Sequence, residues 1–141
     1  MSEQILVPFD GSPQARAALE YSFETFPEAT VTALYVVPVP EGYWAAFGDG
    51  ETITPVIAEA TQNGEAILED AATVAATHDR DLETDHVTGE PHNEIIAYAD
   101  DGGYDTIVMG SHGRDGISRI LLGSVAEAVV RRSPVPVVVV R

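Results

Sequence analysis

The stretch with the clearest chemical content runs Met109-Gly110-Ser111-His112-Gly113-Arg114-Asp115-Gly116 and on through Ile117 to Leu122 into Gly123-Ser124-Val125. Its spacing is glycine, two residues, glycine, nine residues, then glycine-serine. The chemistry this suits is phosphate binding by main-chain donors. Gly110 ends an apolar run, and its missing side chain lets a ligand lie against backbone, while Gly113 and Gly116 permit turns at positive φ. Gly123-Ser124 opens a helical stretch, Val125 to Arg132, whose first amides lack intrahelical partners and face an incoming anion. The Ser124 hydroxyl either donates to phosphate or caps that helix. The bland alternative is a plain strand-to-helix connection; the full spacing with Gly-Ser at a helix start favours the phosphate cradle. A lysine-bearing phosphate loop is excluded, because all seven basic residues are arginine.

Asp10, in Val7-Pro8-Phe9-Asp10-Gly11-Ser12, is the second polar candidate. It either caps the first helix or contacts a ligand, and the residues alone weigh the two evenly. His112 has the type of a catalytic group, but the motif sets no acidic partner beside it, which favours a structural or solvent-facing role. His78, His86 and His92 share no helical face, so they predict no metal site. The chain has no cysteine, which excludes disulfides, thiol nucleophiles and cysteine metal sites.

Short apolar strands alternating with amphipathic helical stretches must position these residues. Ile5 to Phe9 reads as a strand apolar on both faces. Ser12-Pro13 then starts a helix whose expected buried stripe is Ala17, Ala18, Tyr21 and Phe26. Thr30 to Val37 is a β-branched strand, and Pro38 to Thr54 a loop containing Trp44. A long helix is expected from Pro55 to Thr77, with Ile57, Ala60, Ala71 and Val74 apolar, then a strand from Leu82 to Thr88. Gly89-Glu90-Pro91 opens a helix carrying Ile95, Ile96 and Ala99, which Gly102-Gly103 ends. Thr106 to Met109 and Val135 to Val140 complete five strands. Five strands alternating with four helices imply a mostly parallel sheet in one 1–141 domain, with helices on both faces. Ligands of such sheets sit beyond the strands' carboxyl ends where the winding reverses, which directs attention to residues 8–12, 36–40 and 110–124.

The chain has 141 residues and a formal charge of −16, from 23 acidic against 7 basic residues. A scattered acidic surface without lysine points to adaptation to concentrated salt, since at about 1 M the Debye length falls to roughly 3 Å. The alternative is a surface shaped for a basic partner. No basic stripe exists, so nucleic acid is not an expected ligand. No signal-peptide pattern and no apolar run of membrane-spanning length are present, so a cytoplasmic protein without membrane association is expected.

Met-Gly-Ser-His-Gly-Arg at 109–114, followed by Leu-Leu-Gly-Ser-Val-Ala-Glu-Ala-Val-Val-Arg-Arg from Leu121, closely resembles the universal stress protein family, in its ATP-binding subgroup; Val7-Pro8-Phe9-Asp10-Gly11-Ser12 matches the N-terminal pattern. The resemblance implies a Rossmann-like sheet in the order 3-2-1-4-5 and homodimers, often through the last strand, here Val135 to Val140. It implies Pro8, Val36 and Met109 around an adenine, and Asp10 at the ribose or the hydrated metal-phosphate region. Gly110, Gly113, Gly123, Ser124 and Val125 would contact ribose or phosphates of ATP, with Mg²⁺ a candidate companion. The leading functional reading is a nucleotide-dependent stress-response or signalling module. A slow ATPase or phosphotransferase is the second, and a dimer that binds no nucleotide the third.

Overall fold

The computed structural model describes residues 3–38, 54–111 and 122–141, and for 54–58 the backbone alone. Strand β1 is Gln4–Pro8 and helix α1 Pro13–Thr25. Ser12 starts α1 as its type predicts: its Oγ accepts the Ala15 amide at 3.1 Å, and Pro13 occupies the first turn, where no amide is needed. The buried stripe differs from expectation. It is Ala15, Ala18, Leu19, Ser22 and Phe23, so only Ala18 is common to both. Burying the larger Leu19 and Phe23 sets the rotation of the helix and turns Tyr21 outward to 37% exposure. Phe26 lies past the helix end, edge-on to Tyr21.

The remaining described elements are β2 (Thr30–Pro38), α2 (Thr54–Thr77), β3 (Glu83–Gly89), α3 (Pro91–Asp101), β4 (Thr106–Gly110), α4 (Ser124–Arg132) and β5 (Val137–Val140). The strands form one parallel sheet in the order β3-β2-β1-β4-β5, the order the resemblance implies. The last strand begins two residues later than expected. The Val135 amide is taken by Ser133 Oγ at 3.1 Å in a turn between two prolines, so it cannot join the ladder. Residues 39–53, most of the expected loop, lie outside the described residues.

Alternation along the strands divides the core in two. Ile5, Val7, Val31, Ala33 and Val108 face α1 and α2, whose Leu68, Ala71, Val74 and Ala75 close that layer. Leu6, Leu34, Ile107 and Met109 face the other way, under Ile95 and Ala99 of α3 and Ala126 and Val129 of α4. Among the described residues, no helix is long and apolar enough to cross a membrane.

Helix α2 ends in a left-handed residue, Asp79, at φ 54°, with the Arg80 amide returning to the Ala75 carbonyl at 2.9 Å. An aspartate is doubly unsuited here: its Cβ disfavours positive φ, and its charge opposes the negative end of the helix dipole. Asp79→Gly is therefore expected to stabilise the protein by about 1 kcal/mol, read as a higher urea midpoint with an unchanged slope. A lowered midpoint would contradict this account of the turn.

Candidate functional site

The winding reverses between β1 and β4: β2 and β3 lie on one side of β1, β4 and β5 on the other. The carboxyl ends of β1, β2 and β4 thus meet at the position where open α/β sheets hold ligands. Pro8, Val36 and Met109 come together there. They continue the alternation of Leu6, Leu34 and Ile107, so all three lie on the α3/α4 side at neighbouring strand ends. Met109 is 5% exposed, while Pro8 and Val36 are half-buried. They make an apolar shelf.

Past Pro8 the chain turns tightly. The Phe9 amide reaches the Leu34 carbonyl at 2.8 Å, and Asp10 Oδ1 accepts the Ser12 amide at 3.0 Å. Helix α1 is therefore capped by Ser12 and not by Asp10. The role of Asp10 in this turn is to hold Ser12 in place.

Gly110 closes β4 opposite Val140. Its missing side chain predicts room there for a ligand. In the structure that space holds the first turn of α1: a Cβ on Gly110 would stand 2.7 Å from Gln14 Cβ and 2.8 Å from its backbone carbonyl carbon. The glycine is thus required by close helix-to-strand packing. Gln14 was missed because nothing in its own sequence context signals a contact with residue 110.

Ser111, which follows β4, is 2% exposed. Its amide donates to the Val140 carbonyl at 2.8 Å, and its carbonyl accepts the Gly123 amide at 2.6 Å. The start of α4 is thereby tied to the end of β4. Gly113, with His112, Arg114 and Gly116, lies outside the described residues.

Gly123 is the N-cap of α4, extended at φ −68°, ψ 163°, and among the described residues no side chain caps the helix. Ser124 is its first residue and exposed, so the capping alternative for its hydroxyl is not what the structure contains. Val125 is half-buried against the α3/α4 core. The helix starts that follow β1 and β4 differ: α1 is plugged by Ser12 and Pro13, whereas α4, like α3, has no side-chain cap among the described residues. Chemically, the arrangement offers an apolar shelf for a flat ring and a donor-rich helix end for an anion. Among the described residues, no group of three or more His, Asp or Glu side chains is gathered to hold a metal ion.

The family model described as the universal stress protein family matches residues 1–141. The chain belongs to the universal stress protein family. A universal stress protein of Methanocaldococcus jannaschii is 36% identical over 99% of this chain and 82% of its own length. Another, from Bacillus subtilis, is 32% identical over the full length of both. The universal stress protein UspA of Lactobacillus plantarum superposes with a TM-score of 0.77 at 30% identity, covering 99% of this chain and 97% of its own. The fold is shared more widely in the family, including with a universal stress protein solved in complex with cAMP (TM-score 0.72, 24% identity, 99% and 97% coverage). An Arabidopsis thaliana member solved with AMP bound also shares it (TM-score 0.69, 16% identity, 98% and 90% coverage).

Proposed function

We propose that this universal stress protein binds ATP at the carboxyl end of β1, β2 and β4 and acts as a nucleotide-dependent stress-response or signalling module. Pro8, Val36 and Met109 take the adenine, and Asp10 the ribose or the hydrated metal-phosphate region. Gly113, Gly123, Ser124 and Val125 contact ribose and phosphates, and Gly110 contributes only its backbone, since Gln14 fills the space a side chain would take. The observation that carries this reading is the uncapped start of α4, tied to the end of β4 by the 2.6 Å bond between Gly123 and Ser111 and next to the apolar shelf. Nucleotides bound by other members of the fold are in keeping with it. Mg²⁺ suits a site of this kind, because it binds through phosphate oxygens and one or two carboxylates, and Asp10 follows the end of β1.

The protein works as a homodimer joined through its last strand. β5 is an edge of the sheet, and its four valines are half-buried, an apolar edge that calls for a partner. It is cytoplasmic and adapted to high salt. Its formal charge is −16, with 23 acidic residues against 7 arginines to pair with them, which leaves most carboxylates to solvent cations.

The −16 protein repels an anionic ligand at low salt. Added KCl should therefore strengthen Mg-ATP binding, the reverse of the usual weakening at anion sites. Calorimetric titrations from low to molar KCl, on protein kept folded, test this; affinity that falls steadily would defeat it. Mass spectrometry of the denatured purified protein tests the ligand itself. Bound ATP supports the switch, ADP supports slow hydrolysis, and an empty site that also ignores added ATP overturns the proposal.

A further inference from the structure

At the opposite edge of the sheet from β5, two tyrosines and two carboxylates meet in a connected polar cluster. Register places Thr32 of β2 opposite Glu83 of β3, and Leu34 opposite Asp85. Alternation then puts Thr32, Glu83 and Asp85 on the α3 side of the sheet. The Tyr98 hydroxyl, from α3, donates to Asp85 Oδ2 at 2.7 Å. The Tyr104 hydroxyl donates to Thr32 Oγ1 at 3.0 Å, and Thr32 passes its own proton toward Glu83 Oε2 at 3.4 Å. The two rings lie 5.7 Å apart at 35°. Tyr104 is seated by Gly102, where a Cβ would stand 2.6 Å from its ring.

Each phenol thus has its proton aimed at a carboxylate, directly or through one hydroxyl. This matters for oxidation, because a phenol that gives up an electron becomes a very strong acid, and a hydrogen-bonded acceptor lets proton and electron leave together. Burial first, and then the bond to Asp85, holds the Tyr98 hydroxyl above the ordinary range, so it keeps its proton at neutral pH. Among the described residues other sinks are scarce: the chain has no cysteine, and Met109 is 5% exposed. Tyr21 is open to solvent at 37%, but its ring neighbour is Phe26 and not a carboxylate.

We propose that Tyr98 and Tyr104 form a one-electron oxidation site, which closes to an intramolecular dityrosine when met by a one-electron-oxidising radical such as the carbonate radical. In each step one electron passes to the oxidant, and carbonate radical becomes carbonate. The Tyr98 proton goes to Asp85; the Tyr104 proton goes through Thr32 to Glu83. The two phenoxyl radicals pair their electrons in one bond between ring carbons ortho to oxygen. The hydrogen on each of those carbons leaves as a proton while each phenol oxygen regains one, so the net loss is two electrons and two protons.

The test uses the intact protein under photogenerated carbonate radical, followed by cleavage at acidic residues, mass spectrometry and dityrosine fluorescence. The expected product is a Tyr98–Tyr104 link lighter by two hydrogens, lost in Tyr98→Phe and in Tyr104→Phe. Asp85→Asn should lower the yield about 100-fold, the lower end of what a positioned proton acceptor contributes, and Asp85→Glu should restore it. In urea, with every tyrosine present and the cluster gone, the preference should vanish. Oxidation that falls first on Tyr21, Tyr43 or Trp44 would overturn the proposal. So would an undiminished yield in Asp85→Asn with its circular dichroism unchanged, or a yield that stays low in Asp85→Glu.

Discussion

Gly123→Asp should lose Mg-ATP affinity by at least about 100-fold, roughly 2.7 kcal/mol, while leaving the fold as stable as before or slightly more so. The backbone of Gly123 is extended at φ −68°, ψ 163°, a conformation any residue adopts, so the substitution brings no strain. An N-cap aspartate accepts an amide of the first turn and sets its charge against the positive end of the helix, which is worth a few tenths of a kcal/mol over glycine, and about 0.3–1 from the dipole. Those are the same donors that the proposed function assigns to the phosphates. The carboxylate would therefore occupy the anion site and repel the ligand at contact distance, where molar salt screens poorly. Calorimetry with Mg-ATP and a thermal melt in the same KCl buffer read the two effects. A variant that melts like the parent and binds ATP as well would remove the phosphates from the start of α4.

Arg80→Ala should cost about 3 kcal/mol of stability, a shift of roughly 10 °C in Tm for a domain of this size. The guanidinium fork spans the corner between α1 and β2. It donates to the carbonyls of Phe23 at 2.8 Å, Phe26 at 3.1 Å and Ala29 at 2.9 Å. Its carbon also stands 5.1 Å from the centre of the Phe23 ring. The carbonyls of Phe23 and Phe26 end α1, where a cation complements the dipole and free acceptors need partners, and that of Ala29 leads into β2. Charge-assisted bonds contribute about 1.5–3 kcal/mol each when buried, and the half-buried position brings three of them down to the figure above. Arg80→Lys should recover only part, because a point ammonium cannot reach three acceptors in one plane. Urea melts in fixed KCl are the measurement, since guanidinium is itself a salt that screens the protein's charge. A loss under about 0.5 kcal/mol, the range of ordinary surface substitutions, would show that the clamp is ornamental.

Some of this architecture was plain in the chain. Ser12-Pro13 announced a helix start, and the strands at Thr30 and Thr106 were visible as β-branched and apolar runs. Local chemistry decides such features, so local reading finds them. The buried stripe of α1 was misread because alanines are poor witnesses to which way a helix faces, and the larger Leu19 and Phe23 decide it only against a partner layer. Arg80 was only counted among the basic residues. Its three acceptors lie 51–57 positions earlier, a separation no spacing rule reaches. The Tyr98–Asp85 and Tyr104–Thr32 bonds were missed for the same reason.

The residues of the candidate site divide along the same line. Gly110, Gly123 and Ser124 stood out by spacing, and Pro8, Val36 and Met109 through the family resemblance. Composition and the order of apolar runs determined, unaided, a parallel α/β sheet, an acidic chain, and the strand ends to which the proposed function assigns its ligand. Only the tertiary structure decided that Gly110 yields its space to Gln14, that Ser12 caps α1 while α4 goes uncapped, and that Ser111 binds Gly123 to the end of β4. Those outcomes depend on which backbones approach within about 3 Å of each other. Packing settles such approaches between segments far apart in the chain, and no single segment carries a record of its future neighbour.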